Sequence, residues 1–300
     1  MTPLAAETID PERARVAAAR HSAPGFWRRA LAHRSLVIGG ALTALLLFAA
    51  ALSLVWTPYS PYELDLPSKL QTPSIVHWLG TDAFGRDVAS LLLVGARASI
   101  LVGIIAVGIG LIVGTALGLL AAARRGWVEE AIMRLTDFSL AFPAILSAIM
   151  LTAVFGAGIV NAMVAIGIYN IPTFARITRA AANSIWSRDY VTAARACGRG
   201  ALAVTFDHVL PNIAGVLIVQ ATIRFAIAIL AEAALSYLGL GTQPPQPSWG
   251  RMLAEAQTLM YQAPLLAVWP GLAIVLAVLG LNLMGDGLRD VLDPRLARAR

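Results

Sequence analysis

Apolar residues are not spaced evenly along this chain. They gather into long runs separated by short charged or proline-rich breaks. The runs cover residues 36–56, 100–123, 132–155, 157–175, 213–237 and 263–285. Each approaches or exceeds the roughly 20 apolar residues that cross a bilayer as a helix. The pattern predicts an all-α membrane protein with about six transmembrane helices. Trp56 and Tyr59 fall at the far end of the first run, where amphipathic rings favour the headgroup layer. The second run places Gly110, Gly114 and Gly118 four residues apart. Small residues on one helical face let another helix approach closely. The third run contains Pro143, whose neighbours must satisfy the carbonyl it frees.

The breaks divide the chain further. Residues 1–34 form a cytoplasmic arm with Pro3, Pro11 and Pro24; it is either plainly disordered or ends in a short interfacial helix over residues 26–33. The first span, 35–57, is followed by an extracytoplasmic connector over 58–98. A five-helix core over 99–285 contains a cytoplasmic segment at 186–211, and a charged tail fills 286–300. Within the outer breaks, residues 81–99 place Val88, Leu91, Leu92 and Ala96 on one face of a helix leading into the second span. Residues 248–262 have apolar positions at helical spacing, which predicts a short amphipathic helix on the outer surface. Both serve either as interfacial packing or as an outer gate that meets a partner.

Composition supports the membrane reading. Charged residues make up 13% of the chain, against about 25% in soluble proteins, so lipid is the solvent for much of the surface. The net charge of +6 does not point to nucleic acid, because the basic residues follow the topology. Eighteen lie in the arm, the 124–134 break, the 176–212 segment and the tail, against Lys69, Arg86, Arg97 and Arg251 on the other side. Both termini therefore face the cytoplasm. The single cysteine, Cys197, excludes an intrachain disulfide, and the four histidines show no metal-ligand spacing. The first apolar run follows some thirty polar residues without a small-residue cleavage site, so it reads as a retained helix.

An energy source is missing. The only lysine, Lys69, lies outside any G-x-x-x-x-G-K-[ST] loop, and neither G-x-S-x-G nor H-E-x-x-H occurs. The chain is therefore not expected to be an enzyme. Ionisable groups at membrane depth are few: Asp137, Arg224 and Glu232. Arg224 and Glu232 stand about two turns apart on one side of a helix, where they either neutralise each other or meet another subunit. Asn161, Asn170, Gln220 and Thr222 either line a path or make helix–helix hydrogen bonds.

The cytoplasmic segment Ser187-Arg-Asp-Tyr-Val-Thr-Ala-Ala-Arg-Ala-Cys-Gly198, continuing to Val209-Leu-Pro-Asn212, carries the most information. Asp189 or Ser187 suits an N-cap. Ala193, Ala194 and Ala196 favour helix and add little bulk. Gly198 suits a left-handed helix end, and Pro211 suits the first turn of a second helix that re-enters the membrane. The segment resembles the EAA loop of binding-protein-dependent ABC importer permeases, matching at Ala193, Ala194, Gly198, Leu210 and Pro211, with Thr192 in place of the usual Glu. The resemblance extends to His77–Asp87, to 235–250 and to 270–294, which look like the C-type subunit of dipeptide, oligopeptide and nickel importers.

That resemblance implies a type I importer permease fold in a bacterial inner membrane. It also implies an unlike second permease, two ATP-binding subunits that hold ATP and Mg²⁺, and an extracytoplasmic solute-binding protein. This chain would itself hold no cofactor. Coupling to the ATPase would fall to Asp189, Tyr190, Thr192, Ala193, Ala194, Gly198, Leu210 and Pro211. Asp82, Arg86, Asp87, Trp249 and Met252 would serve an outer gate or binding-protein contact. The competing expectation is a secondary transporter driven by an ion gradient, in which Asp137 or Glu232 would be essential.

Overall fold

The computed structural model describes residues 30–292. The expected arm helix over 26–33 and the end of the tail lie mostly outside them. The described chain is helical: α1 (Arg34–Val55), α2 (Val88–Arg124), α3 (Gly126–Ala141), α4 (Ala144–Phe155), α5 (Ile159–Trp186), α6 (Asp189–Ala196), α7 (Ala201–Tyr237), α8 (Trp249–Ala256) and α9 (Leu265–Leu292).

Close backbone packing organises the bundle. A side chain on Gly110 would strike Asn170, one on Gly114 would strike Ile171 and Phe174, and one on Gly118 would strike Ala175 and Thr178. The expected glycine face is therefore a seam between α2 and α5, and the two numbers rise together, so these helices run parallel. Gly39, Gly280 and Gly287 make a second seam between α1 and α9, where the pairings 39 with 283–284 and 36 with 287 show an antiparallel pair. Lipid gives helices no hydrophobic reason to associate, so dispersion at such close approaches supplies much of the attraction.

The crossings differ in detail from six apolar spans. Four helices, α1, α2, α7 and α9, are long and apolar enough to cross. The third expected span is broken: α3 and α4 meet at 87° across Phe142 and Pro143, which makes a fifth crossing if the pair counts as one. Proline removes a backbone donor and disfavours helix in the residue before it, so the bend falls there. The expected fourth span lies in α5, which has 28 residues but carries Asn161, Asn170, Arg176 and Arg179 and so is less apolar than the others. Its parallel seam with α2 carries it through the same layer in the same direction.

Two apolar clusters fill the bundle. One joins α2, α5 and α7 and includes Val102, Phe174, Trp186 and Ile213. The other joins α1, the outer part of α2, α8 and α9 through Leu46, Leu91, Trp249 and Ile274. At 37 residues α2 is about 56 Å long, well beyond the hydrocarbon layer, and its first turns stand on the outer side against α8. The helix expected before the second span is thus the start of that same helix.

Gly114→Leu is expected to destabilise the bundle by about 1–3 kcal/mol or more through overpacking. Gly108→Leu, where nothing lies within 4 Å, should be tolerated. Thermal unfolding of the two variants in detergent checks the contrast.

Candidate functional site

The cytoplasmic segment forms a compact knob. After Trp186 the chain turns through Ser187 and Arg188 into α6. Neither expected cap operates: Arg188 occupies the N-cap position, and the Ser187 hydroxyl donates backwards to the Ser184 carbonyl at 3.1 Å. Asp189 stands in the first turn instead, where its charge complements the free N–H groups. The C-terminal end matches expectation. Gly198 has φ +83°, its N–H donates to the Arg195 carbonyl at 3.0 Å, and the Arg199 N–H donates to Ala194 at 3.1 Å. This pair of bonds is the Schellman closure, which satisfies carbonyls that would otherwise be orphaned.

Past this turn the chain does not begin a separate second helix. Residues 201–237 are one helix with a wide π-turn at Thr205–Val209. Leu210 donates to Thr205 across it, so Pro211, which has no N–H, fits without breaking the helix.

The knob presents two unlike faces. Val191, Val204 and Val209 are fully buried in the same core as Phe174 and Ile213 of the spans. Arg199 pairs with Asp207 at 2.9 Å, and the Tyr190 ring meets His208 edge-on at 6.1 Å. Thr192, Ala193, Cys197, Gly198 and Pro211 are exposed, Ala194 and Leu210 half-buried. Leu202 and Phe206 lie exposed beside them. Those two residues and the valine anchors carry no motif. A valine within a run of small and polar residues was the one available signal.

On the outer side, the five expected residues converge, but inward. Asp82, Asp87, Trp249 and Met252 are buried. Asp82 accepts from the backbone of Phe84 and Arg86 and from Arg86 Nε at 2.6 Å. The Arg86 guanidinium reaches on to Glu255 at 2.8 Å, joining the connector to α8, and Glu255 also accepts from Arg251. Asp87 caps α2 by accepting from the Ser90 N–H and hydroxyl at 2.8 Å, and its other oxygen meets His77 at 3.0 Å. Trp249 donates to the Leu92 carbonyl at 3.0 Å. These side chains build the outer surface from beneath. His77, Ser90 and Glu255 belong to the same lattice and were not singled out from sequence; Glu255 could not have been, since Arg86 lies 169 residues away.

The charges at membrane depth do not pair as expected. Glu232 accepts from Ser236 at 2.6 Å and Thr242 at 3.3 Å, tying the outer end of α7 to the 239–248 connector, and it does not meet Arg224. Asp137 pairs with Arg176, and Glu129 with Arg179, which joins α3 to α5. Asn161 donates to the Phe155 and Gly156 carbonyls and closes the end of α4, while Thr222 bonds within its own helix.

The described residues form a multi-pass helical bundle with a cytoplasmic knob packed into the core of its spans. Residues 114–298 match the family described as the binding-protein-dependent transport system inner membrane component, and the chain belongs to that family. It is 47% identical over 281 residues to the di/tripeptide transport system permease protein DppC of Pseudomonas aeruginosa, covering 91% of this chain and 92% of that one. It is 44% identical over 276 residues to the glutathione transport system permease protein GsiD of Pectobacterium atrosepticum, covering 90% of each. The fold resembles that of the inward-facing MetNI methionine ABC transporter, with a TM-score of 0.56 and 19% identity over 70% of this chain and 95% of that one. The protein is thus a bacterial inner-membrane permease subunit of an ABC importer with the type I fold, a transport component rather than an enzyme. Family membership implies ATPase and other subunits and sets aside the ion-gradient alternative.

Arg86→Ala is expected to remove the ion pairs to Asp82 and Glu255 and to cost about 1–3 kcal/mol. Arg134→Ala, which breaks the exposed Arg134–Glu130 pair, should cost under about 0.5 kcal/mol. Unfolding midpoints, together with proteolysis of the 57–85 connector, distinguish the two.

Proposed function

We propose that this subunit carries dipeptides, tripeptides or a related small peptide such as glutathione, and that α6 is its contact with an ATP-binding subunit. The substrate class rests on relatives whose names specify di/tripeptide and glutathione transport. The contact rests on one observation: the face with Thr192, Ala193 and Gly198 is open, while Val191, on the opposite face, is sealed into the core of the spans. A small-faced helix fits a groove closely, and interior packing transmits displacement because it is dense.

The assembly contains an unlike second permease, two ATP-binding subunits carrying ATP and Mg²⁺, and an external solute-binding protein. The binding protein docks over the 57–98 and 241–262 segments, whose shape the Asp82–Arg86–Glu255 lattice and Trp249 hold. Closure of the ATPases on ATP moves α6. Motion passes through Val191, Val204 and Val209 to α5 and α7 and switches the bundle between two rigid arrangements. Thr192 removes an acid usual at this position, so the contact depends on shape and on Asp189, Tyr190, the half-buried Leu210 and the exposed Pro211.

Gly198→Val is expected to abolish uptake in cells while the external protein still binds solute. The open space around Gly198 means the damage is conformational, since a β-branched residue is strained at φ +83°. Gly198→Asn, which tolerates that conformation, should keep substantial uptake. Normal uptake by the Val variant would remove the coupling role.

A further inference from the structure

The arginines of α5 and α7 differ in one respect. Arg176 and Arg179 on α5 each have a carboxylate on α3. Arg224 on α7 makes no ion pair and no side-chain hydrogen bond among the described residues, and its Nε is buried without a partner. Glu232, the nearest acid along its own helix, lies about 12 Å further along the axis, where one of its oxygens accepts from Ser236 and Thr242, and it makes no ion pair with Arg224. Arg224 lies about 20 Å along the axis from Tyr237, the outer end of α7. At that depth no headgroup phosphate is at hand.

The surroundings fix which way it looks. On the same stripe of α7 stand Leu217 and Ala228, both buried in the core that α5 shares. The Arg224 side chain is half-buried rather than sealed. A guanidinium facing hydrocarbon alone is among the costliest placements in a membrane, and such residues face the bundle interior or a watered path. Among the described residues no carboxylate meets it, so an anion from outside them would complete the site. A half-open site fits an anion that arrives and leaves, and the planar fork of arginine is matched to a carboxylate.

We propose that Arg224 is the point where the translocation path holds the carboxylate of the passing solute. The assignment rests on the reading that the importer moves peptides. Dipeptides, tripeptides and glutathione all carry a free carboxylate.

The test uses the complete importer in proteoliposomes, with the external binding protein saturated by a dipeptide or by the same peptide amidated at its C-terminus. ATP-dependent uptake is compared for the native chain and R224Q. The expected result is a fall of about tenfold for the free acid, the scale of one charge-assisted hydrogen bond, with the amide unchanged within about twofold. An equal fall for both would assign Arg224 to a carboxylate of the second permease, or to packing, and overturn the proposal. Undiminished uptake of the acid would also overturn it. Where R224Q fails to assemble, R224K makes the same comparison, keeping the charge and losing the fork. A native importer that hydrolyses ATP yet carries neither peptide would overturn the peptide reading itself.

Discussion

The seam between α2 and α5 is the contact on which the other parts depend. Three glycines let the two backbones meet over about two turns, and no side chain could stand at any of them. The seam fixes α5 in depth and rotation. Trp186, at the inner end of α5, then fixes where the chain leaves the membrane and where α6 stands. Its outer counterpart is the start of α2, held by the Asp87 cap and by Trp249 on Leu92. One helix pair thus locates both faces on which an importer must work.

A second continuous element joins those faces. Helix α7 begins beside α6, absorbs Pro211 through its π-turn and reaches the outer side unbroken. Near its outer end Glu232 binds Ser236 and Thr242, and the connector that follows leads to α8. In the proposed mechanism a displacement at the knob therefore has a stiff route outward, with valine packing at one end and a hydrogen-bonded carboxyl at the other. Two groups on this route keep a buried atom without a partner among the described residues, one oxygen of Glu232 and the Nε of Arg224, and the solute itself would complete the second.

Much of this was legible in the sequence, because lipid makes the rules strict. Apolar runs marked α1, α2, α7 and α9, basic residues gave the orientation, and the glycine spacing marked the seam. The left-handed turn at Gly198 was legible too, since few other residues occupy it cheaply. The failures share a cause. How far Pro143 bends the third span, and how the polar α5 is accommodated, depend on tertiary partners such as Asp137 with Arg176, which no local pattern announces. Asp189 and Ser187 lost the capping role because Arg188 adopts the extended conformation before the helix. Arg224 and Glu232 stood on one helical side yet found different partners, because the connector after α7 folds back over Glu232. The outer acids read as surface contacts, whereas their hydrogen bonds draw them under the surface.

The central claim is that the open face of α6 rests on an ATP-binding subunit while its other face is fixed to the spans. Cys197, the only cysteine in the chain, is exposed at the end of that helix and provides a native probe. A thiol-reactive photocrosslinker placed there in the assembled importer should join this chain to an ATP-binding subunit, with a yield that changes when ATP is added. Crosslinking that reaches only lipid or the second permease, in a complex that still transports, would contradict the account.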